Sequence, residues 1–481
     1  MNLLRKIFSK DNSTVSKSMI CFSIASWITA GIGFLIIPIS TRLFSPDELG
    51  KINLFNSAIS ILYPIFCIGL DHGYIRDFNV LDTDSRKKLW TKSFLVSVVL
   101  IVCGFFVALF FRAEISNLLI GQNDDMMPIF LMISLLSYTI ERYILIEYRL
   151  RDIPGVYTLY AIGFTFSNKI LFLCSAFFWT ANFHSALIIT CIANVIMLIV
   201  CIVLFRKKFY FKKITHDNND IKSAFLFGWP IMLVVFISLF AQNIPKFFLK
   251  EFVNLSAVGV FSSAITIASI ITIAQSGFAL VWTPYVYSHY QNEKDNIDAI
   301  HKYIVLLITF IAIIIVLFQD LIVLLLGEPY REITYYLPIL LITPVCSLLG
   351  EITGIGINIE RKTKWHILSN LVGVIVVCIL CIVLIPTLFE LGAALASFFA
   401  TLSVFIFRSV IGCKYYVPVK NFKYIIISLL SLILISIINC VCFNNKPVAY
   451  IFYTPIIFYL IYVFRKEITK IFQLFLSIGK R

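Results

Sequence analysis

Apolar stretches of about 20 residues follow one another along this chain, separated by short turns that carry most of the charge. About 20 apolar residues are what a helix needs to cross roughly 30 Å of hydrocarbon. The pattern predicts about 14 spans, near 18–41, 52–70, 93–111, 126–146, 156–178, 185–205, 224–245, 256–282, 303–326, 335–357, 365–385, 391–411, 424–442 and 448–464. The runs are long and continuous, whereas barrel strands show short alternating segments. Pro38, Pro64, Pro230 and Pro344 fall inside spans, where neighbouring groups can satisfy the freed backbone.

The first span ends on Pro38–Arg42, turns through Ser45-Pro46-Asp47 and leads into the second at Gly50. A fainter copy occurs later: Pro245-Lys246 closes an apolar segment, and Val258-Gly259-Val260-Phe261-Ser262 opens the next. This echo predicts two similar six-span lobes, 18–205 and 224–411, joined by a basic linker at 206–223. Spans 13 and 14, at 412–464, follow as an addition, and parallel-repeat transporters share such a plan. The fold expected is all-α and integral to the membrane, with both termini on the cytoplasmic side.

Composition agrees. Sixty per cent of the 481 residues are apolar, 14% are charged, and mean hydropathy is +0.93; ordinary soluble domains hold about 25% charged residues. With the N-terminus inside, 30 of the 40 Lys and Arg fall on the inner side, 7 on the outer side and 3 within spans. That asymmetry is the positive-inside pattern. It assigns the net charge of +14 to anionic membrane lipid as partner, not nucleic acid. The largest inner cluster is Arg206, Lys207, Lys208, Lys212, Lys213 and Lys222. Residues 1–17 and the tail 465–481 read as basic amphipathic segments lying on the inner surface. Residues 18–41 are too long for a signal-peptide core and lack a cleavage pattern.

Catalytic signatures are missing. There is no P-loop, no HExxH and no Cys/His cluster in a loop. Cys378-x-x-Cys381 lies inside a span without a nearby His, so two small core- or lipid-facing residues are expected rather than a metal site. No enzyme, cofactor or metal is expected.

The chemistry left to read is charge at membrane depth, which is costly on insertion and usually faces protein or water. Lys169 lies mid-span in Phe166-Ser167-Asn168-Lys169; it either lines a cavity or pairs with a carboxylate such as Glu351. Arg142 stands beside Glu141, but adjacent helical residues point apart and do not pair. It shares a face with Tyr138 and lines a cavity, or else snorkels to the surface. Arg408 is a similar case. Arg42 and Lys246 end the first span of each lobe, as cavity cations or interface anchors. Arg76, near Asp71, His72 and Asp77, fits an inner gate or ion-pair cluster. Glu351 is the candidate for coupling to a proton or Na⁺, or is a partner for one of the cations. Asp320, Gln275 and Asn243 are secondary polar candidates.

Pro38–Gly50, PISTRLFSPDELG, resembles the first-span ending of the polysaccharide flippases, the Wzx-type O-antigen and capsule repeat-unit transporters of the MOP superfamily. Val258–Ala264 with Val281-Trp282-Thr283-Pro284-Tyr285 is similar to their eighth span and its exit. Tyr330, Leu337–Leu340, the Lys362-Thr363-Lys364 turn and Leu391–Ala394 agree as well. The resemblance implies a bacterial inner-membrane flippase that moves undecaprenyl-diphosphate-linked oligosaccharide to the outer leaflet by alternating access. A proton or Na⁺ gradient, or downhill flow, would drive it, and a polysaccharide polymerase and a chain-length regulator would be its partners. Lipid II flipping and multidrug cation export within the same superfamily are the alternatives. Intramembrane cations outnumber carboxylates, which argues against organic-cation cargo. A membrane polysaccharide polymerase or acyltransferase would need a large outer loop or a compact His/Asp motif, and neither is present.

Overall fold

The computed structural model describes residues 13–205, 219–292 and 294–478. The N-terminal segment 1–12, most of the basic linker (five of its six cluster cations, all but Lys222) and residues 479–481 lie outside them. The described residues are helical and contain no strand.

In chain order the helices are α1 (Ser13–Leu43), α2 (Pro46–Cys67), α3 (Leu70–Asp77), α4 (Thr83–Phe110), α5 (Arg112–Ile120), α6 (Met127–Leu150) and α7 (Pro154–Thr165). A π-helical turn (Phe166–Ile170) and a 3₁₀ turn (Leu171–Leu173) lead into α8 (Cys174–Phe178). Then come α9 (Phe183–Phe205), α10 (Asn219–Phe252), α11 (Leu255–Ala268), α12 (Ile270–His289), α13 (Lys294–Leu317), α14 (Gln319–Leu324) and α15 (Ile333–Thr353). The last five are α16 (Ile355–Ile359), α17 (Lys364–Tyr415), α18 (Lys423–Val441), α19 (Lys446–Val463) and α20 (Arg465–Ile478).

Among the described residues twelve helices are long and apolar enough to cross a membrane, or 13 if the bent pair α2 and α3 counts as one crossing, with α17 counted once. This is a multi-pass membrane protein. Two expected spans differ in detail. The second does not run straight to residue 70: Ile68 and Gly69 both take positive φ, 49° and 75°, and the chain bends by 57° into α3. The eighth is broken at Ser269 into α11 and α12. The eleventh and twelfth are present as expected: α17 is two helices joined at a sharp kink at Phe389 (φ 50°, ψ −126°), and they fold back on each other, with Trp365 Nε1 donating to Tyr415 Oη at 3.1 Å. The connection that starts at Arg112 forms α5, with Leu119 and Ile120 buried. Its terminal carbonyls receive Lys250 Nζ, 2.5 Å from Asn117 O and 2.9 Å from Leu118 O, a cation where a helix C-terminus favours one.

The turn at Ser45 is locally well specified. Ser45 Oγ accepts from Glu48 N–H, Pro46 occupies the first helical turn, and Asp47 and Glu48 sit at the positive helix end; each is a helix-start device. Glu48 also accepts from the Phe183 N–H and binds Lys51 at 2.7 Å, so the same turn anchors the start of α9.

The contacts divide the chain into two compact units, residues 21–262 and residues 1–20 with 263–481. Within the first, α10 and the start of α11 pack along α2 and α3 at backbone distance. A Cβ on Gly228 would stand 1.8 Å from Gly69 O, and one on Gly259 2.1 Å from Pro46 O. Glycine is therefore required at both places. A core of Tyr74, Trp90, Tyr143, Phe164 and aliphatic side chains fills the same unit. In the second unit the end of α18 and the start of α19 are tied down by polar contacts. Lys446 Nζ binds Asp320, Tyr450 Oη donates to Asp320 at 2.9 Å, and Asn439 donates to the carbonyls of Thr334 and Tyr335 at 2.8 and 3.0 Å.

Candidate functional site

The 21–262 unit holds a cavity built on one face of α6. Tyr138, Glu141, Arg142, Leu145 and Arg149 recur there at three- and four-residue spacing, so they share that face. One lobe of the cavity, about 220 Å³, is lined by Tyr63, Tyr138, Glu141, Arg142, Arg149 and Tyr157 among others. A second, about 260 Å³, adds Ser26, Thr29, Asn168 and Lys169. Tyr138, Glu141, Leu145 and Tyr157 line both, so the two adjoin. Three cations thus face one carboxylate, with three tyrosines between them.

Lys169 is exposed to this space, and it stands on the π-helical turn after α7. Its ammonium lies 3.9 Å from where a Cβ on Gly33 would be, so α1 forms the facing wall. Glu141 lines the same cavity; Glu351 belongs to the other unit, where its Oε1 accepts from Gln275 Nε2 at 3.0 Å.

Arg142 lines the cavity with part of its side chain and pairs with the rest. Its Nε lies 2.9 Å from Asp71 Oδ2, and the Asp71 side chain is 5% exposed. His72 Nε2 is 3.8 Å from the same carboxylate. Glu141 takes no part, as the helical geometry required.

Arg76 does not join that group. It clasps Asp77 through two bonds of 2.6 and 2.7 Å, donates to Ser223 Oγ at 2.8 Å, and lies over the Phe227 ring at 4.7 Å. The cluster expected around Arg76 is therefore two separate pairs, one at depth and one at the α3–α10 surface. With Lys222, Arg76 borders a shallow open depression.

Lys246 points at α2. Its Nζ donates to Ser57 Oγ at 3.0 Å and Asn243 Oδ1 at 3.1 Å, while Asn243 donates to Ser60 Oγ at 3.3 Å. Arg42 is exposed at the end of α1. Arg408 bonds Ser369 Oγ at 3.1 Å and Asn370 Oδ1 at 2.8 Å within the second unit.

Reading the sequence missed Arg149, which falls just past the expected end of the fourth span but belongs to α6. It also missed Glu141 as a cavity residue, and Asn194, a lone amide in the apolar α9. The period of α6 was the available signal for the first two. Among the described residues no group of three or more His, Cys, Asp or Glu could hold a metal ion.

A profile of the polysaccharide biosynthesis protein family matches residues 15–291. The chain belongs to this family. No curated protein matches it in sequence. Among solved structures it is similar to a lipid II flippase, MurJ, in an inward closed conformation: TM-score 0.67, 14% identity, 93% of this chain and 100% of that one. It is also similar to a multidrug resistance MATE family transporter of the MOP superfamily, inward-facing, with TM-score 0.63, 14% identity and coverage of 82% and 97%. The outward-facing form of such a transporter gives 0.56, 17%, 83% and 95%. This member of the family therefore has the fold of MOP-superfamily transporters rather than that of an enzyme.

Proposed function

We propose that the protein is a flippase for undecaprenyl-diphosphate-linked oligosaccharide units, working by alternating access in a bacterial inner membrane. The observation that carries this reading is the pair of adjoining cavities in which Arg142, Arg149 and Lys169 surround a single carboxylate, Glu141. A diphosphate cannot enter hydrocarbon unaided. Cations at depth offset its desolvation, because opposite charges attract more strongly where the dielectric is low. Tyr63, Tyr138 and Tyr157 offer flat apolar faces with hydroxyl tips, which suit sugar rings. The family match supports the polysaccharide setting. Fourteen crossings, with α17 divided at Phe389, put both termini in the cytoplasm on the charge pattern. Glu351, whose Oε1 accepts from Gln275, is the candidate for coupling to a proton or Na⁺ gradient. A polymerase and a chain-length regulator would use the product. The excess of cavity cations disfavours organic-cation export; lipid II flipping is the second reading, favoured by the match over the whole of the lipid II flippase structure.

The test is a deletion strain complemented by the wild-type chain or by Lys169→Ala. Lipid-linked repeat units are expected to accumulate on the inner leaflet in the deletion. Lys169→Ala is expected to leave them there while its protein level in the membrane stays normal. Normal surface polysaccharide in the deletion strain overturns the assignment.

A further inference from the structure

Asn194 has no role in any of the above, and its position is expensive. It lies in α9 among residues that are almost all apolar, it is fully buried, and its Nδ2 has no hydrogen-bond partner among the described residues. An amide at bilayer depth is tolerated when it bonds across helices. Its Oδ1 does so: it accepts from Ser167 Oγ at 2.7 Å, and Ser167 is itself 4% exposed. Ser167 is the second residue of the π turn Phe166–Ile170, and Lys169 is the fourth.

A π turn holds one residue more than the α turn it replaces, and such turns recur at functional sites. In an α-helix each residue advances by about 100°. Removing the extra residue from the turn would therefore swing the side chains beyond it by about that angle around the helix axis. Lys169 would leave the face it shares with Asn168 in the cavity. Nothing in the residue types of Phe166–Ile170 forces a π turn, so an outside contact must hold its register.

We propose that Asn194 is a positioning residue: through Ser167 it locks the π turn that presents the Lys169 ammonium to the cavity. The Ser167–Asn194 bond joins two helices at a point buried from water, where no competing solvent loosens it. Asn194 touches no cargo in this scheme; it acts on transport only through Lys169. The inference deepens the flippase reading and rests on it for its consequence, but its geometry is tested separately.

The experiment measures acetylation of native lysines by a small water-soluble acylating reagent, read by mass spectrometry on the full chain in nanodiscs. The quantity is the rate at Lys169 divided by the rate at Lys87, which stands on α4 away from the cavity. Asn194→Leu and Ser167→Ala are each expected to lower this ratio about fivefold, the shift for a hydrogen bond worth ~1 kcal/mol. Ser167→Thr, which keeps the hydroxyl, is expected to leave it near the wild-type value. An unchanged ratio in both Asn194→Leu and Ser167→Ala overturns the proposal, and so does a Ser167→Thr value as low as that of Ser167→Ala. A lowered ratio with unimpaired export supports the positioning role and removes Lys169 from the flippase mechanism instead.

Discussion

Arg142→Met separates the two jobs that Arg142 can hold. The substitution leaves the Asp71 carboxylate, 5% exposed, with His72 Nε2 at 3.8 Å as its remaining basic neighbour. Breaking a buried ion pair from one side costs about 3–5 kcal/mol. Arg142 is itself 32% exposed, so part of the charge is already screened and the lower end, about 3 kcal/mol, applies. The compact unit 21–262 falls in the size range where 1 kcal/mol moves Tm by roughly 2–4 °C, so a drop of roughly 6–12 °C is expected. Asp71→Asn keeps a hydrogen-bonding group and should cost about 1–2 kcal/mol. The double substitution Asp71→Asn with Arg142→Met should recover most of the loss, since no buried charge is left alone. Thermal unfolding of the purified protein gives the stability half of the cycle, and export of lipid-linked units in the complemented deletion strain gives the other. If Arg142 also serves cargo, the double variant is stable and transports poorly. Wild-type export by a restored double variant would show that Arg142 exists for Asp71 alone, and the cavity would lose one of its three cations.

Gly228→Ala places a methyl 1.8 Å from Gly69 O, a backbone atom that cannot step aside, whereas Gly31→Ala meets nothing within 4 Å; loss of folded protein is expected for the first and wild-type yield for the second, by size-exclusion profile. Lys446→Met removes the cation beside Asp320 and Tyr450, so α18 and α19 should loosen, seen as faster hydrogen exchange in 423–463 with little change in 127–150. Glu351→Gln should alter the dependence of export on pH or Na⁺, measured across a pH series in vesicles; an unaltered profile would leave Glu351 as a structural acceptor for Gln275.

The membrane architecture was legible because hydropathy alone dictates it: the runs that predicted α4, α6, α9 and α13 are the helices observed. Breaks were harder. Ile68 is β-branched and a poor candidate for a left-handed angle, so nothing local announced the bend before α3; packing of Gly69 against Gly228 holds it. The break between the eleventh and twelfth spans could be read, because hydropathy dips near Glu390, beside the kink at Phe389 that separates the two helices. For the site, the sequence singled out Lys169 and Arg142 because charge in an apolar run is costly wherever it points. Their partners could not be read that way. Asp71 lies 71 positions from Arg142, and Asn194 lies 27 positions from Ser167, so only the fold brings each pair together. Arg149 was lost for a simpler reason: the apolar run ends before the helix does.

The single carboxylate among the cavity cations has a physical consequence for the proposed transport. A cavity holding only Arg142, Arg149 and Lys169 would bind a diphosphate firmly and release it slowly, since every stabilisation at low dielectric opposes departure. Transport needs similar affinity for cargo at the start and end of a cycle, not a deep well in between. Glu141 lines both lobes of the cavity and attracts the same cations. When cargo is absent it lowers the self-repulsion of three like charges; when cargo is present it raises the energy of the bound anion. Both effects flatten the path. Glu141→Gln should therefore tighten binding of a lipid diphosphate to the purified protein while slowing its export, a split that loss of a cargo-binding residue cannot produce. Weaker binding and slower export together would place Glu141 among the groups that hold the cargo instead.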